Sequence, residues 1–257
     1  MIKTTGGLLA AAAFMVTTGN ISAVSLFNEG FETAGGDENY SSFNFTDSAA
    51  VAETSDGFND YWIRTDGSHI ANSNAVTGVV GSHYFAAEDT FASGTGDPNA
   101  IAPTLEWTGI DISGYDTLTF SGNFAHANNT GWSILTSPTS ITSTVTVAAS
   151  IDGGTEQILV QFLPTADGSV PVLDTNNNGV IDAGETTTIG NAMKNFSASI
   201  SGTGSTLDLR ITAFGLVTQA DDIAFDEFEI TGNLVPEPAS MVLLGLGGLA
   251  FLARRRK

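Results

Sequence analysis

The chain has 257 residues, with 28 Asp and Glu against 8 Lys and Arg, a formal charge of −20. So acidic a surface repels nucleic acid and anionic lipid and favours cations, which excludes a nucleic-acid binder built on a basic groove. Cysteine is absent, which removes disulfides, thiol catalysis and Cys-based zinc sites and leaves stability to the core and to bound cations.

Met1–Thr5 carries Lys3, Leu8–Val16 is apolar, and Ser22-Ala23 and Ala23-Val24-Ser25 offer small-residue cleavage points. This is the layout of a secretory signal peptide over residues 1–23. Residues 24–233 then suffice for one extracytoplasmic domain. Its only basic residues are Arg64, Lys194 and Arg210, so it is more acidic than the whole chain suggests.

The aromatic residues Tyr61, Trp62, Trp107, Tyr115 and Trp132 fall in or beside expected loops and strand ends. Trp62 and Trp107 are expected to fill a core. Trp132, within Asn128-Asn129-Thr130-Gly131-Trp132, is the candidate for an exposed ring that stacks on a sugar.

Alternation with period 2 recurs along the chain and predicts strands. Leu118, Phe120, Gly122 and Phe124 share one face, with Thr117, Thr119, Ser121 and Asn123 on the other. Val145, Val147, Ala149 and Ile151 repeat the pattern, turn at Asp152-Gly153-Gly154 and return through Glu156–Leu163, as a hairpin does. Leu207, Leu209, Ile211 and Ala213 alternate with Asp208, Arg210 and Thr212, and a last strand is expected over Ile223–Thr231. Many short strands between Gly, Asn and Asp turns, with no capped helical period, predict an all-β antiparallel sandwich of jelly-roll type.

Between these strands lies Asp174-Thr-Asn-Asn-Asn-Gly-Val-Ile-Asp-Ala-Gly-Glu185. Oxygen side chains at positions 1, 3, 5, 9 and 12, with glycine at 6, reproduce the spacing of an EF-hand-type calcium loop. Asp174, Asn176 and Asn178 would bind through side chains, Val180 through its carbonyl, Asp182 directly or through water, and Glu185 through both oxygens. Ile181 would pack inward. Two Asn among the ligands lower the charge count and point to a Kd of roughly 0.1–1 mM. The β-branched run Thr186-Thr187-Thr188-Ile189 that follows is unlike an exiting helix, so a lone bracing loop is expected. The competing reading is an Asn/Gly-rich turn that binds nothing.

Catalytic patterns are sparse. His69, His83 and His126 lack any paired-ligand spacing and read as exposed loop histidines. A carboxylate pair such as Asp221 with Asp226 has nothing to raise it above others. Gly131-Trp132-Ser133 lacks a nucleophile elbow.

The chain closes with Val235-Pro236-Glu237-Pro238-Ala239-Ser240, an apolar run Met241–Ala253, and Arg254-Arg255-Arg256-Lys257. Prolines halt the upstream strand. The apolar run is shorter than the about 20 residues of a permanent span, and the cations hold the end on the cytoplasmic side. This tail, residues 234–257, resembles the PEP-CTERM sorting signal, with Pro236, Glu237 and Pro238 as its namesake motif, 241–253 as its short transmembrane segment and Arg254, Arg255 and Arg256 as its basic cluster. The resemblance implies export by a Gram-negative bacterium that makes extracellular polysaccharide. It also implies membrane insertion before processing, and cutting near the motif by an exosortase. The opening Leu26–Glu32 and closing Phe225–Ile230 segments resemble galactose-binding or MAM-like jelly rolls. That likeness implies a structural calcium between first and last strands, with Glu32 and Asp226 as its carboxylates.

Together these readings describe an exported surface or matrix protein, a non-catalytic calcium-braced module associated with exopolysaccharide. The alternatives are a secreted glycan hydrolase and a purely structural surface protein. A groove with two facing carboxylates and aromatic walls would mark the hydrolase, and an exposed aromatic face without them would mark a binder.

Overall fold

The computed structural model describes residues 22–32, 41–43, 61–67, 75–88, 90, 103–127, 131–136, 141–218 and 221–235. Most of the expected signal peptide lies outside the described residues, as do the helix expected at 241–253 and the motif residues Pro236, Glu237, Pro238, Arg254, Arg255 and Arg256. Among the described residues no helix is long and apolar enough to cross a membrane.

Alternating sequence becomes two packed antiparallel sheets. The first runs β12 (Lys194–Ile200), β6 (Tyr115–Ala125), β14 (Asp222–Leu234), β4 (Tyr84–Glu88), β3 (Tyr61–Thr65), with β1 (Val24–Glu29) paired to the far half of β14. The second runs β11 (Pro171–Leu173), β10 (Gln157–Pro164), β9 (Thr144–Ile151), β13 (Thr206–Phe214), β5 (Thr104–Asp111), β2 (Ser41–Phe43). A short ribbon pairs β7 (Ile134–Leu135) with β8 (Ile141–Thr142). The all-β sandwich and the β9–β10 hairpin are as expected. That hairpin turns at Asp152 and Gly153, with φ of 50° and 67°, and Asp152 Oδ1 accepts the Thr206 N–H at 2.9 Å, which ties the turn to β13.

The inward faces interdigitate through rings. Phe228, fully buried, packs against Phe120, Phe124, Phe225 and Trp107 at centroid separations of 5.3–5.6 Å. Gly122 is where this ring sits: a Cβ there would come within 2.7 Å of Phe228 Cδ1. Truncating such a ring to alanine costs about 3–5 kcal/mol.

One end of the first sheet is buried on both faces. Tyr61, Ile63, Tyr84, Ala86, Ala125 and Ala224 form a second apolar cluster under Val76, Val79 and Met193. Backbone bonds between Thr77 and the Asn191–Met193 segment hold this cover in place. Hence Tyr61-Trp62-Ile63 of β3 and Tyr84-Phe85-Ala86-Ala87 of β4 are apolar in succession rather than in alternation.

Candidate functional site

The Asp174–Glu185 loop is positioned by β10 and β11. Asp174 N donates to Gln161 O at 2.9 Å, one step beyond the β10–β11 ladder, and Leu173 N donates to Thr187 O at 2.9 Å, which brings the exit back beside the entrance. Asp174 is buried. Its Oδ1 accepts Asn176 N–H at 3.2 Å and its Oδ2 accepts Gly179 N–H at 2.7 Å. Asn176 Oδ1 accepts Asn178 N–H at 3.0 Å, and Asn178 Oδ1 accepts Val180 N–H at 2.8 Å. Gly179 has φ 81°, as the sixth position of such a loop requires.

The far side of the loop turns inward on the same centre. Asp182 Oδ2 accepts the side-chain amides of Asn176 (2.8 Å) and Asn178 (3.0 Å). Glu185 spans the loop: Oε1 accepts the Thr175 N–H and hydroxyl at 2.6 and 2.5 Å, and Oε2 accepts Asp182 N–H at 2.8 Å. The Thr175 hydroxyl, aided by backbone N–H groups, holds the Glu185 carboxyl below its usual range. All five expected side-chain ligands thus share one hydrogen-bonded ring. Ile181 is half-buried and Val180 is 60% exposed. The hard oxygen donors suit calcium, while the side-chain amides of the two asparagines now lie on Asp182. Among the described residues, no three His, Asp or Glu side chains are gathered closely enough to hold a metal.

Glu32, after β1, and Asp226, in β14, both bond to the Val80–His83 turn. Glu32 Oε1 accepts Ser82 and His83 N–H, each at 2.8 Å, and Oε2 accepts the Ser82 hydroxyl at 2.8 Å. The His83 N–H leads these in drawing the Glu32 pKa down to about 2. Asp226 is fully buried, but not by facing the core with Phe228. A bulge at Glu227 (φ 51°) shifts the register after Asp226, so Phe225 and Phe228 both enter the core and Asp226 lies under the Val80 turn instead. The Asp226 oxygens accept Val80 N–H at 3.0 Å and Glu227 N–H at 2.8 Å. Burial pushes its pKa up to about 6, and the charges of Glu227 and Glu32 add to the effect. The same Val80–His83 turn therefore grips both carboxylates. It needs Gly81, whose φ is 76° and whose Cβ would lie 2.4 Å from Glu32 Oε1. Arg64 completes the junction, donating through Nε to Phe31 O and through Nη2 to Glu32 O at 2.7 Å.

Trp132 is not an exposed sugar plate, which corrects the sequence expectation. The ring is fully buried, its Nε1 donates to Asp222 O at 3.0 Å, and it meets His126 edge-on. The polar Asn-Asn-Thr-Gly lead-in signals a loop, yet Trp132 N donates to Ser169 O at 2.8 Å and Gly168 N returns a bond to Trp132 O at 2.9 Å. A Cβ at Gly131 would fall 2.0 Å from the Ser169 carbonyl carbon, so only glycine lets these segments approach and turn the indole inward. Trp62 and Trp107 are buried as expected.

His126 also departs from expectation. It is buried, with Nδ1 3.1 Å from Asp222 Oδ1. His69 lies outside the described residues, and His83 is partly exposed. Asp221 is fully buried and acts as a clamp, accepting Ser133, Val217 and Thr218 N–H groups and the Ser133 and Ser143 hydroxyls. Asp221 and Asp226 are therefore sealed from any substrate.

A feature the sequence left unassigned is the outer face of the second sheet. Glu106, Thr108, Ser150, Glu156, Asp208 and Arg210 line a groove of ≈ 130 Å³ there. Arg210 reaches Glu156 at 2.6 Å and Glu106 at 3.8 Å. Phe214, 40% exposed, lies on the same face of β13. The signal was present in the alternation of Asp208, Arg210 and Thr212, which reads equally well as an ordinary solvated face.

No curated protein matches the chain. Among solved structures it is similar to the CBM22-1 xylan-binding domain of Paenibacillus barcinonensis Xyn10C, at 12% identity, 84% of this chain, 98% of that chain and TM-score 0.36. It is similar to the K3 cleaved adhesin domain of Lys-gingipain from Porphyromonas gingivalis W83, at 16% identity, 81% and 99% coverage and TM-score 0.38. A cyclase from Fischerella sp. TAU matches at 14% identity, 83% and 98% coverage and TM-score 0.43. The sandwich assignment rests on the strand pairing above. The family described as the PEP-CTERM protein-sorting motif matches residues 234–257. The chain therefore carries a PEP-CTERM sorting motif at its C-terminal side, the mark of an exported protein that an exosortase processes.

Proposed function

We propose that the chain is a non-catalytic module of a Gram-negative cell surface or extracellular matrix, braced by calcium and associated with extracellular polysaccharide. The observation that carries the binding part is the outer face of the second sheet. There Thr108, Ser150, Asp208 and the Arg210 pair with Glu156 present hydroxyl, carboxylate and guanidinium groups around one groove. These groups match the alternating donors and acceptors of sugar hydroxyls. With every tryptophan buried, hydrogen bonding rather than indole stacking holds the glycan. The acidity of the domain favours a neutral glycan, or an acidic one bridged by cations.

Calcium would be held by Asp174, Asn176, Asn178, Asp182, Glu185 and the Val180 carbonyl. Glu32 and Asp226 would hold a second ion at the strand junction. In the loop, binding requires the Asn176 and Asn178 amides to turn their oxygens toward the centre. Its role is to stiffen a long excursion from β11, not to drive chemistry. Residues 241–253 hold the chain in the inner membrane until the exosortase cuts near Pro236–Pro238.

The test is retention of the exported chain on the producing organism's own polysaccharide in millimolar calcium. Retention that is lost in Arg210→Ala and Asp208→Ala supports the reading. Passage straight through overturns it, and release of reducing sugar replaces it with a hydrolase.

A further inference from the structure

Asn178 precedes Gly179, the one Asn–Gly step in the chain. The backbone nitrogen after an asparagine can attack its side-chain carbonyl carbon, and glycine, lacking a Cβ, shields that nitrogen least. Both residues are exposed, and a Cβ at Gly179 would meet nothing within 4 Å. The electrophile is also prepared. Asn178 Oδ1 accepts Val180 N–H at 2.8 Å, which draws electron density from Cγ. Two contacts oppose the attack. Asn178 Nδ2 donates to Asp182 Oδ2 at 3.0 Å, which returns density to the amide and holds the leaving nitrogen. Gly179 N–H donates to Asp174 Oδ2 at 2.7 Å, a charge-assisted bond that keeps the proton on the nucleophile, and Asp174 is buried away from competing water.

We propose that Asn178 is a self-modification site, where the loop converts its fifth position from amide to carboxylate at a rate set by the Asp174–Gly179 bond. Gly179 N loses its proton and bonds to Asn178 Cγ as the Cγ–Nδ2 bond breaks. The departing nitrogen takes that proton and leaves as ammonia, and a five-membered imide remains. Water opens the ring at either carbonyl, leaving aspartate or isoaspartate in place of the asparagine. No redox partner is needed. The aspartate product sets a fourth carboxylate among Asp174, Asp182 and Glu185. The isoaspartate product moves a methylene into the backbone and breaks the turn onto Val180. The effect on cation affinity rests on the calcium reading of the loop, whereas the covalent step does not.

The full exported chain is held folded in mildly alkaline buffer made with heavy-oxygen water, then digested and sequenced by fragment mass. Label is expected at Asn178 before any other asparagine, and several-fold sooner in Asp174→Asn. An amide at Asn178 that outlasts other asparagines overturns the proposal. Unchanged timing in Asp174→Asn removes the role of the Asp174 bond. Calorimetry with calcium separates the consequence: Asn178→Asp should bind about tenfold more tightly than the unmodified chain. If neither chain binds calcium, the cation reading fails while the label result stands.

Discussion

The two carboxylate centres of this molecule are built in opposite ways. The Asp174–Glu185 loop draws its carboxylates and amides from twelve consecutive residues and is largely exposed. The junction joins Glu32 after β1, Asp226 in β14 and the turn at Val80–His83, with Asp226 fully buried. In the loop, the two Asn amides and backbone N–H groups satisfy the carboxylates. In the junction, burial works against Asp226, and among the described residues two N–H groups answer its charge. A local loop answers its carboxylates with its own donors, whereas the tertiary junction buries a carboxylate and carries an electrostatic penalty into the fold.

The largest expected effect sharpens this contrast through pH. Asp226 has a raised folded pKa, about 6 against 3.8, so the native state binds more protons between those values. Its contribution to stability is therefore full below about pH 4 and falls as pH rises through 6, by up to about 3 kcal/mol. Urea titrations in chelator should show that fall, and Asp226→Asn should flatten it. Glu32 runs the other way: its depressed pKa gives stability that is present above about 4.5 and lost toward 2. An unchanged slope in Asp226→Asn would erase the distinction between the two centres. Next in size, Gly81→Ala should cost about 2 kcal/mol, because a left-handed φ and the approach of Glu32 both oppose a Cβ. Calcium at ten times its Kd should then add about 1.4 kcal/mol, and Glu185→Gln should remove the loop's share. The smallest effect is Gly179→Ala, about 1 kcal/mol, since φ alone opposes it and its surroundings are open. Thermal melts rank the two glycine variants, and a reversed order would show that the junction is the looser centre.

Legibility followed the same division. Period-2 patterns at 118–124, 145–151 and 207–213 gave their strands because one face of each meets the core and the other meets water. The hydrogen-bonded loop ring was legible because its polar side chains are neighbours in sequence. The junction's two carboxylates came only from the jelly-roll resemblance, because a bulge at Glu227 undoes the alternation between Asp226 and Phe228 and the Val80–His83 turn that grips both carries no motif. Trp132 and His126 were misplaced for a tertiary reason: the bridge to Ser169 and the bond to Asp222 join segments far apart in the chain. Tyr61-Trp62-Ile63 hid its sidedness, because an added layer at Val76 and Val79 covers the second face.

The sorting motif begins at residue 234, where β14 ends. That strand is central in its sheet, flanked by β6 on one side and by β4 and β1 on the other. Tension applied at Leu234 runs along β14 and loads both ladders in shear, so many hydrogen bonds share the load and none is peeled singly from an edge. Because β1 pairs antiparallel with the same half, Val24 lies opposite Gly232, and the strand first met by the pull is clasped on both sides. The chain thus enters its sorting motif from the central strand of the sheet, where a pull on Leu234 is divided between two ladders.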